Sequence, residues 1–150
     1  MQFIEGRNML ANALPHSMQP DRGDVVLGAV TAHMYSAAHP SAMNKEFVAA
    51  YKKAFNSRPG FMAVGGYDGI HLIYEALKKT GGKTDGDAMM AEMKGFKWES
   101  PRGPISIDPE TRDIVQNIYM RKVEKVNGEL FNIEFATSEA VKDPMKKKAS

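Results

Sequence analysis

A chain of 150 residues that is 43% hydrophobic and 25% charged has the composition of one ordinary globular unit, which excludes a disordered or fibrous chain. Its 20 basic and 18 acidic residues leave a net charge of +2, so charge gives no nucleic-acid or anionic-membrane footprint. The absence of cysteine excludes disulfides, thiolate metal ligands and a cysteine nucleophile, and no stretch is apolar for long enough to read as a membrane span.

In chain order, Phe3 and Ile4 open a short apolar piece, and residues 4–7 match a protease-recognition sequence while also reading as the end of a short strand. The N-terminus has neither the charged start nor the apolar run of a signal peptide. Residues 8–14 suggest a helical turn, and Pro15, Pro20 and Gly23 a loop. Residues 25–31 are apolar and partly β-branched, which predicts a buried strand, with residues 33–40 leading out of it where α/β proteins commonly meet ligands. A first helix follows, with Phe47, Val48, Tyr51, Ala54 and Phe55 on one stripe, stopped by residues 56–60.

Gly65 and Gly66 then approach a second helix that is expected to begin at Tyr67. Asp68 would occupy its first turn, Lys78 and Lys79 its last, and Gly81 its left-handed cap, with Ile70, Ile73, Tyr74 and Leu77 as the buried stripe. A third helix should start near Thr84 and Asp85, where Thr84 and Asp87 have capping-box spacing, and stop at Gly95. Met89, Met90 and Met93 read as its packing face. Beyond Phe96 the pattern changes to strands and turns: Ile105 and Ile107 alternate about Ser106, residues 108–110 turn, and residues 114–126 form one long strand. Asn127-Gly128 is the strongest hairpin signal, and residues 130–135 return with Phe131, Ile133 and Phe135 on one face. After Ala136 a polar tail is expected, its lysines 146–148 a solvated run.

Asp68, His71 and Glu75 share helical spacing that would suit a divalent metal, but no further ligand is fixed by spacing, and His16, His33 and His39 are scattered in expected loops. No G-x-S-x-G elbow is present. Gly65, Gly66 and Gly69 lack the lysine and spacing of a phosphate loop and the pattern of a dinucleotide fingerprint, so no cofactor is indicated. The helix start at Tyr67 could offer amides to a polar ligand group, or its glycines could simply allow a tight turn. Tyr35 could hydrogen-bond a ligand or pack as a hinge residue, and Trp98 reads as the anchor of a packed corner.

The order F-V-A-A-Y-K-K-A-F, Pro59, G-Y-D-G and A-L-K-K-T-G-G, continued through Phe96, residues 103–107 and the Asn127-Gly128 hairpin, resembles the C-terminal portion of periplasmic binding proteins of the leucine/isoleucine/valine type. The resemblance implies an α/β, two-lobed type I fold in which this chain is a fragment with an incomplete central sheet in the first lobe. Residues 1–34 would belong to the second lobe, 35–115 to the helical part of the first, and 116–150 to the second again. It implies a non-enzymatic, periplasmic solute-binding component of an ABC transporter, holding an amino acid or related small carboxylate in an interlobe cleft for the membrane subunits. In that frame Tyr35 lines one wall, and Val64, Gly65, Gly66 and Tyr67 lie beside the variable end of the ligand, leaving room for a side chain larger than that of valine. A ligand-sensing receptor of the same fold and a small metal-dependent hydrolase are the alternative readings. Apolar surface left where absent strands belong should favour self-association of the fragment.

Overall fold

The computed structural model describes residues 24–146, so the expectations for residues 1–23 and for Lys147 and Lys148 lie outside it. The chain is a mixed helix and strand structure built on an open sheet. Strands β1 (Val30–His33), β2 (Lys97–Ser100), β3 (Gly103–Ile107), β4 (Ile114–Val126) and β5 (Glu129–Val141) all pair antiparallel. Strand β4 organises the sheet. One of its edges pairs with β5, from Gln116 opposite Val141 to Val126 opposite Glu129, with irregularities near Ile118 and Met120. Its other edge is shared by β3 at residues 114–116 and β1 at residues 119–122. The Asn127-Gly128 turn has φ of 51° and 84°, the doubly left-handed geometry that matches strand twist in a two-residue hairpin.

Two strand expectations are corrected. The first strand begins at Val30 rather than near Val25, because residues 24–26 form a helical turn closed by the Leu27 amide on the Asp24 carbonyl (3.0 Å). The return strand runs to Val141, so residues 137–141 are not a polar tail. The full length of β4 offers them a ladder, and past the strand end Lys142 pairs with Asp108 (2.6 Å) and Lys146 with Asp113 (2.7 Å).

Helix α1 (Ala42–Phe55) is opened by Ser41, whose hydroxyl accepts the Asn44 amide at 3.1 Å, and closed by Asn56 in the left-handed region. Helix α3 (Gly86–Met93) is capped by the Asp85 carboxylate on the Ala88 amide rather than by Thr84, and its methionines are only half-buried. Helix α2 (Phe61–Lys79) departs most from expectation. It begins six residues before Tyr67, directly after Gly60, so Gly65 and Gly66 are helical and Asp68 lies in the helix interior. Glycine costs roughly 1 kcal/mol in a helix, a local penalty that tertiary contacts of the flanking residues override here. The buried face is also different. Val64, Asp68 and Ala76 are buried, whereas Ile70, Ile73 and Tyr74 of the expected stripe are exposed.

Side chains fasten α2 to the sheet. Asp68 and Arg102 form an ion pair at 2.8 Å, each side chain 5% exposed or less, with charge rather than an aligned hydrogen bond holding the contact. Trp98 donates its indole N–H to Asp68 at 3.4 Å, and Arg102 also donates to Gln116 of β4 at 2.7 Å. Gly103 follows with φ of +93°, and a Cβ there would collide with the Tyr119 hydroxyl, itself donating to the Arg102 carbonyl at 2.7 Å.

Two stability outcomes are expected. Asp68→Leu leaves the Arg102 charge buried without its partner and should cost about 3–5 kcal/mol, whereas Asp68→Leu with Arg102→Leu should cost less than the sum of the single changes. Urea unfolding of the four proteins checks this. Gly103→Ala should destabilise more than Gly128→Ala, since both positions have positive φ but only Gly103 faces an anchored hydroxyl; equal losses in thermal unfolding would remove the steric argument.

Candidate functional site

Two element ends and one hairpin turn come together along α2. Strand β1 ends at His33, α2 begins at Phe61, and the β2–β3 turn carries Arg102. The His33 and Phe61 rings meet edge to face with centroids 5.3 Å apart, and Arg102 reaches Met34 Sδ at 2.8 Å and Asp68 at 2.8 Å. The locus therefore combines an aromatic wall, an imidazole and a buried guanidinium. Helix α2 enters it through Gly60, which supplies no side-chain cap.

His33 is tuned by its surroundings. Burial and then the Arg121 charge, with a lesser contribution from Arg102, pull its pKa from 6.5 to about 4. The Tyr35 amide donates to Nδ1 at 3.3 Å, which leaves the proton of the neutral ring on Nε2. Near neutral pH the imidazole is thus an uncharged donor.

Beneath this locus lies a polar core that holds the chain crossing after β1. Arg121, 1% exposed, donates to the Tyr35 carbonyl and to Thr31 Oγ1 (3.1 Å). Ser36 donates to the Asn132 carbonyl at 2.6 Å, and His39 meets Glu134 at 2.8 Å. Asn44, buried at the start of α1, donates to the Ala37 and His39 carbonyls and accepts the Tyr35 hydroxyl at 3.0 Å. Burial raises the Tyr35 phenol pKa well above its ordinary value, so it remains a neutral donor. On the other side of the crossing Arg58 lies 3.9 Å over the Phe131 ring and donates to the Leu130 carbonyl, fixing the α1–α2 loop to the hairpin.

The residues singled out from the sequence occupy two different places. Tyr35 is buried with its hydroxyl on Asn44, and Val64 is fully buried in the inner face of α2. Gly65 and Gly66 lie on exposed turns of α2, with open space around each. Tyr67 is half-exposed; its ring packs against Phe47 of α1 (5.2 Å) and stacks parallel to His71 (6.5 Å). The three side chains whose spacing alone would suit a metal do not converge: Asp68 pairs with Arg102, Glu75 pairs with Lys78, and His71 lies among Tyr67, Phe96 and Trp98. Trp98 is the packed corner anticipated for it, through its rings and its contact with Asp68. His33, Phe61 and Arg102 were not singled out. The strand exit at residue 33 was the available signal, whereas the approach of Phe61 and Arg102 is a product of tertiary packing.

A protein-family model described as periplasmic binding protein matches residues 9–129. The chain is 44% identical over 128 residues to the Leu/Ile/Val-binding protein homolog 6 of Brucella abortus (strain 2308), an alignment of 83% of this chain but 33% of that protein. Among solved structures it is similar to the solute binding protein of an ABC transporter from Rhodopseudomonas palustris BisB5 in complex with 3,4-dihydroxybenzoic acid: 78% identity, TM-score 0.84, covering 87% of this chain and 36% of that one. A second, from R. palustris HaA2 in complex with p-hydroxybenzoic acid, is 42% identical with a TM-score of 0.78, covering 85% of this chain and 35% of that one. The chain thus spans about a third of the length of the relatives it matches, and it belongs to the periplasmic binding protein family.

Proposed function

We propose that this segment is part of the periplasmic solute receptor of an ABC transporter whose ligand is a small hydroxylated aromatic carboxylate. The observation that carries the reading is the 78% identity to a solute binding protein solved with 3,4-dihydroxybenzoic acid. It narrows the amino acid or related small carboxylate expected from the sequence to the aromatic acids. The chemistry at the β1–α2 junction agrees with it: Phe61 offers an aromatic face, and neutral His33 a donor suited to a ligand oxygen. Tyr35 supports the crossing from behind, and Val64 sets the inner position of α2, so both act on the ligand through the backbone they hold. Gly65, Gly66 and Tyr67, in the second turn of α2, are proposed to face the ligand.

In this reading residues 1–34 and 116–150 belong to one lobe and 35–115 to the other, and lobe closure around the ligand presents the receptor to the membrane subunits without any chemical step. A ligand-sensing receptor with the same cleft is the second reading, favoured by nothing specific to these residues.

Calorimetry on a chimera in which this chain replaces the matching part of the R. palustris BisB5 protein is the direct test. Expected is binding of 3,4-dihydroxybenzoate and 4-hydroxybenzoate in preference to leucine, and binding of leucine alone rejects the ligand class. His33→Phe should weaken the hydroxylated acids by about tenfold, the size of one lost hydrogen bond, with a smaller effect on benzoate. The same ring carries a stability outcome. Its folded pKa of about 4 lies below the unfolded 6.5, so the unfolded chain takes up the proton first as pH falls. The stabilisation from neutral His33 is whole above pH 6.5 and declines toward pH 4. Urea midpoints should therefore fall more steeply over that window for this chain than for His33→Gln.

A further inference from the structure

Two guanidinium groups stand at the exit of β1, a placement that by itself would suit an anion. Arg102 reaches the Met34 sulfur next to His33, and Arg121 donates to the Tyr35 carbonyl. Each is already answered by a carboxylate. Asp68 sets one oxygen 2.8 Å from Arg102 and accepts the Trp98 indole N–H on the other, so it is fixed from both sides. Arg121 has the nearby Glu134 carboxylate, which also meets His39, favouring its charged form. Asp68, Arg102 and Arg121 are buried and the Glu134 side chain is only 12% exposed, so water does little to screen these charges. His33 adds no charge near neutral pH, and with Nδ1 engaged by the Tyr35 amide it offers one N–H. A carboxylate arriving at this junction would leave its water for a place with a single free imidazole donor and no unbalanced cation, and the Asp68 charge would repel it. A phenolic hydroxyl carries no charge and is satisfied by one partner, so it loses far less.

We propose that Asp68 is a specificity-determining residue of the receptor: by holding Arg102 as a neutral pair, it makes this end of the cleft accept the uncharged, hydroxylated edge of an aromatic acid and reject a ring that carries a second carboxylate there. Asp68 acts through Arg102 rather than by touching the ligand, and is a positioning residue in that sense. The discrimination is against a competitor, since a buried charge without a partner is costlier to the wrong ligand than any contact is favourable to the right one. The same ion pair that orients α2 on the sheet therefore sets the charge of the ligand end. The proposal rests on the aromatic-acid reading and narrows it to rings with one carboxylate.

The test is calorimetry on the chimera with the R. palustris protein, using 4-hydroxybenzoate, 4-nitrobenzoate and benzene-1,4-dicarboxylate as probes. A nitro group copies the shape of a carboxylate without its charge, which separates charge from size. Expected is 4-nitrobenzoate within about tenfold of 4-hydroxybenzoate, and the dicarboxylate at least about a hundredfold weaker than 4-nitrobenzoate. In Asp68→Asn, where the Arg102 charge is left unbalanced, that gap should narrow by about tenfold, and in Asp68→Asn with Arg102→Gln, which removes both charges, it should return. A merely structural role of the pair would weaken all three probes alike and leave the gap unmoved, and a constant gap in the folded single variant overturns the proposal. Equal binding of the dicarboxylate and 4-nitrobenzoate by the unsubstituted chimera also overturns it, as does rejection of both, which makes size the selector; these two outcomes need no variant to fold. Binding of leucine with none of the aromatic acids rejects the ligand reading and this proposal with it, whereas equal binding of 4-hydroxybenzoate and the dicarboxylate rejects the charge selection alone.

Discussion

Arg102 is the point on which the two layers of this chain depend. Its guanidinium touches Met34 at the exit of β1, Asp68 in the middle of α2 and Gln116 on β4, while its carbonyl receives the Tyr119 hydroxyl. A buried ion pair of this kind is a poor source of net stability, because desolvation of both charges opposes their attraction. Its value is positional. A guanidinium with several directed donors accepts few alternative arrangements, so the helix cannot slide or rotate on the sheet without leaving a charge alone.

Among the described residues the interior is largely polar. Arg121, Asn44, Ser100, Arg102 and Asp68 are all buried, and the apolar members of the core are few. Arg121 and Asn44 share one task, satisfying backbone carbonyls of the irregular crossing between β1 and α1, where no sheet partner can do so. The crossing is therefore rigid although it has no regular structure.

The aromatic side chains divide along the same line. Phe96 and Trp98 on the sheet side receive His71 and Lys79, which adds aromatic contacts to the foothold of buried Val64. Phe47, Tyr51 and Phe55 instead follow one another along the outer side of α1, and Phe47 meets Tyr67 of α2.

Sequence by itself determined what depends on near neighbours. The β4–β5 hairpin follows from Asn127-Gly128, whose left-handed preference is local; the end of α1 follows from Asn56, and the start of α3 from the carboxylate of Asp85. The family was also legible, since the order of short motifs survives in one dimension. Tertiary structure alone decided the rest. Gly65 and Gly66 read locally as a turn, yet α2 runs through them because its flanks are held by Phe61 and Asp68. Ile70, Ile73 and Tyr74 read as a buried stripe because periodicity reveals that a face is apolar without revealing which layer covers it. Asp68 looked like a partner for the helix dipole, and only the fold could bring a guanidinium 34 residues away along the chain to within 2.8 Å of it.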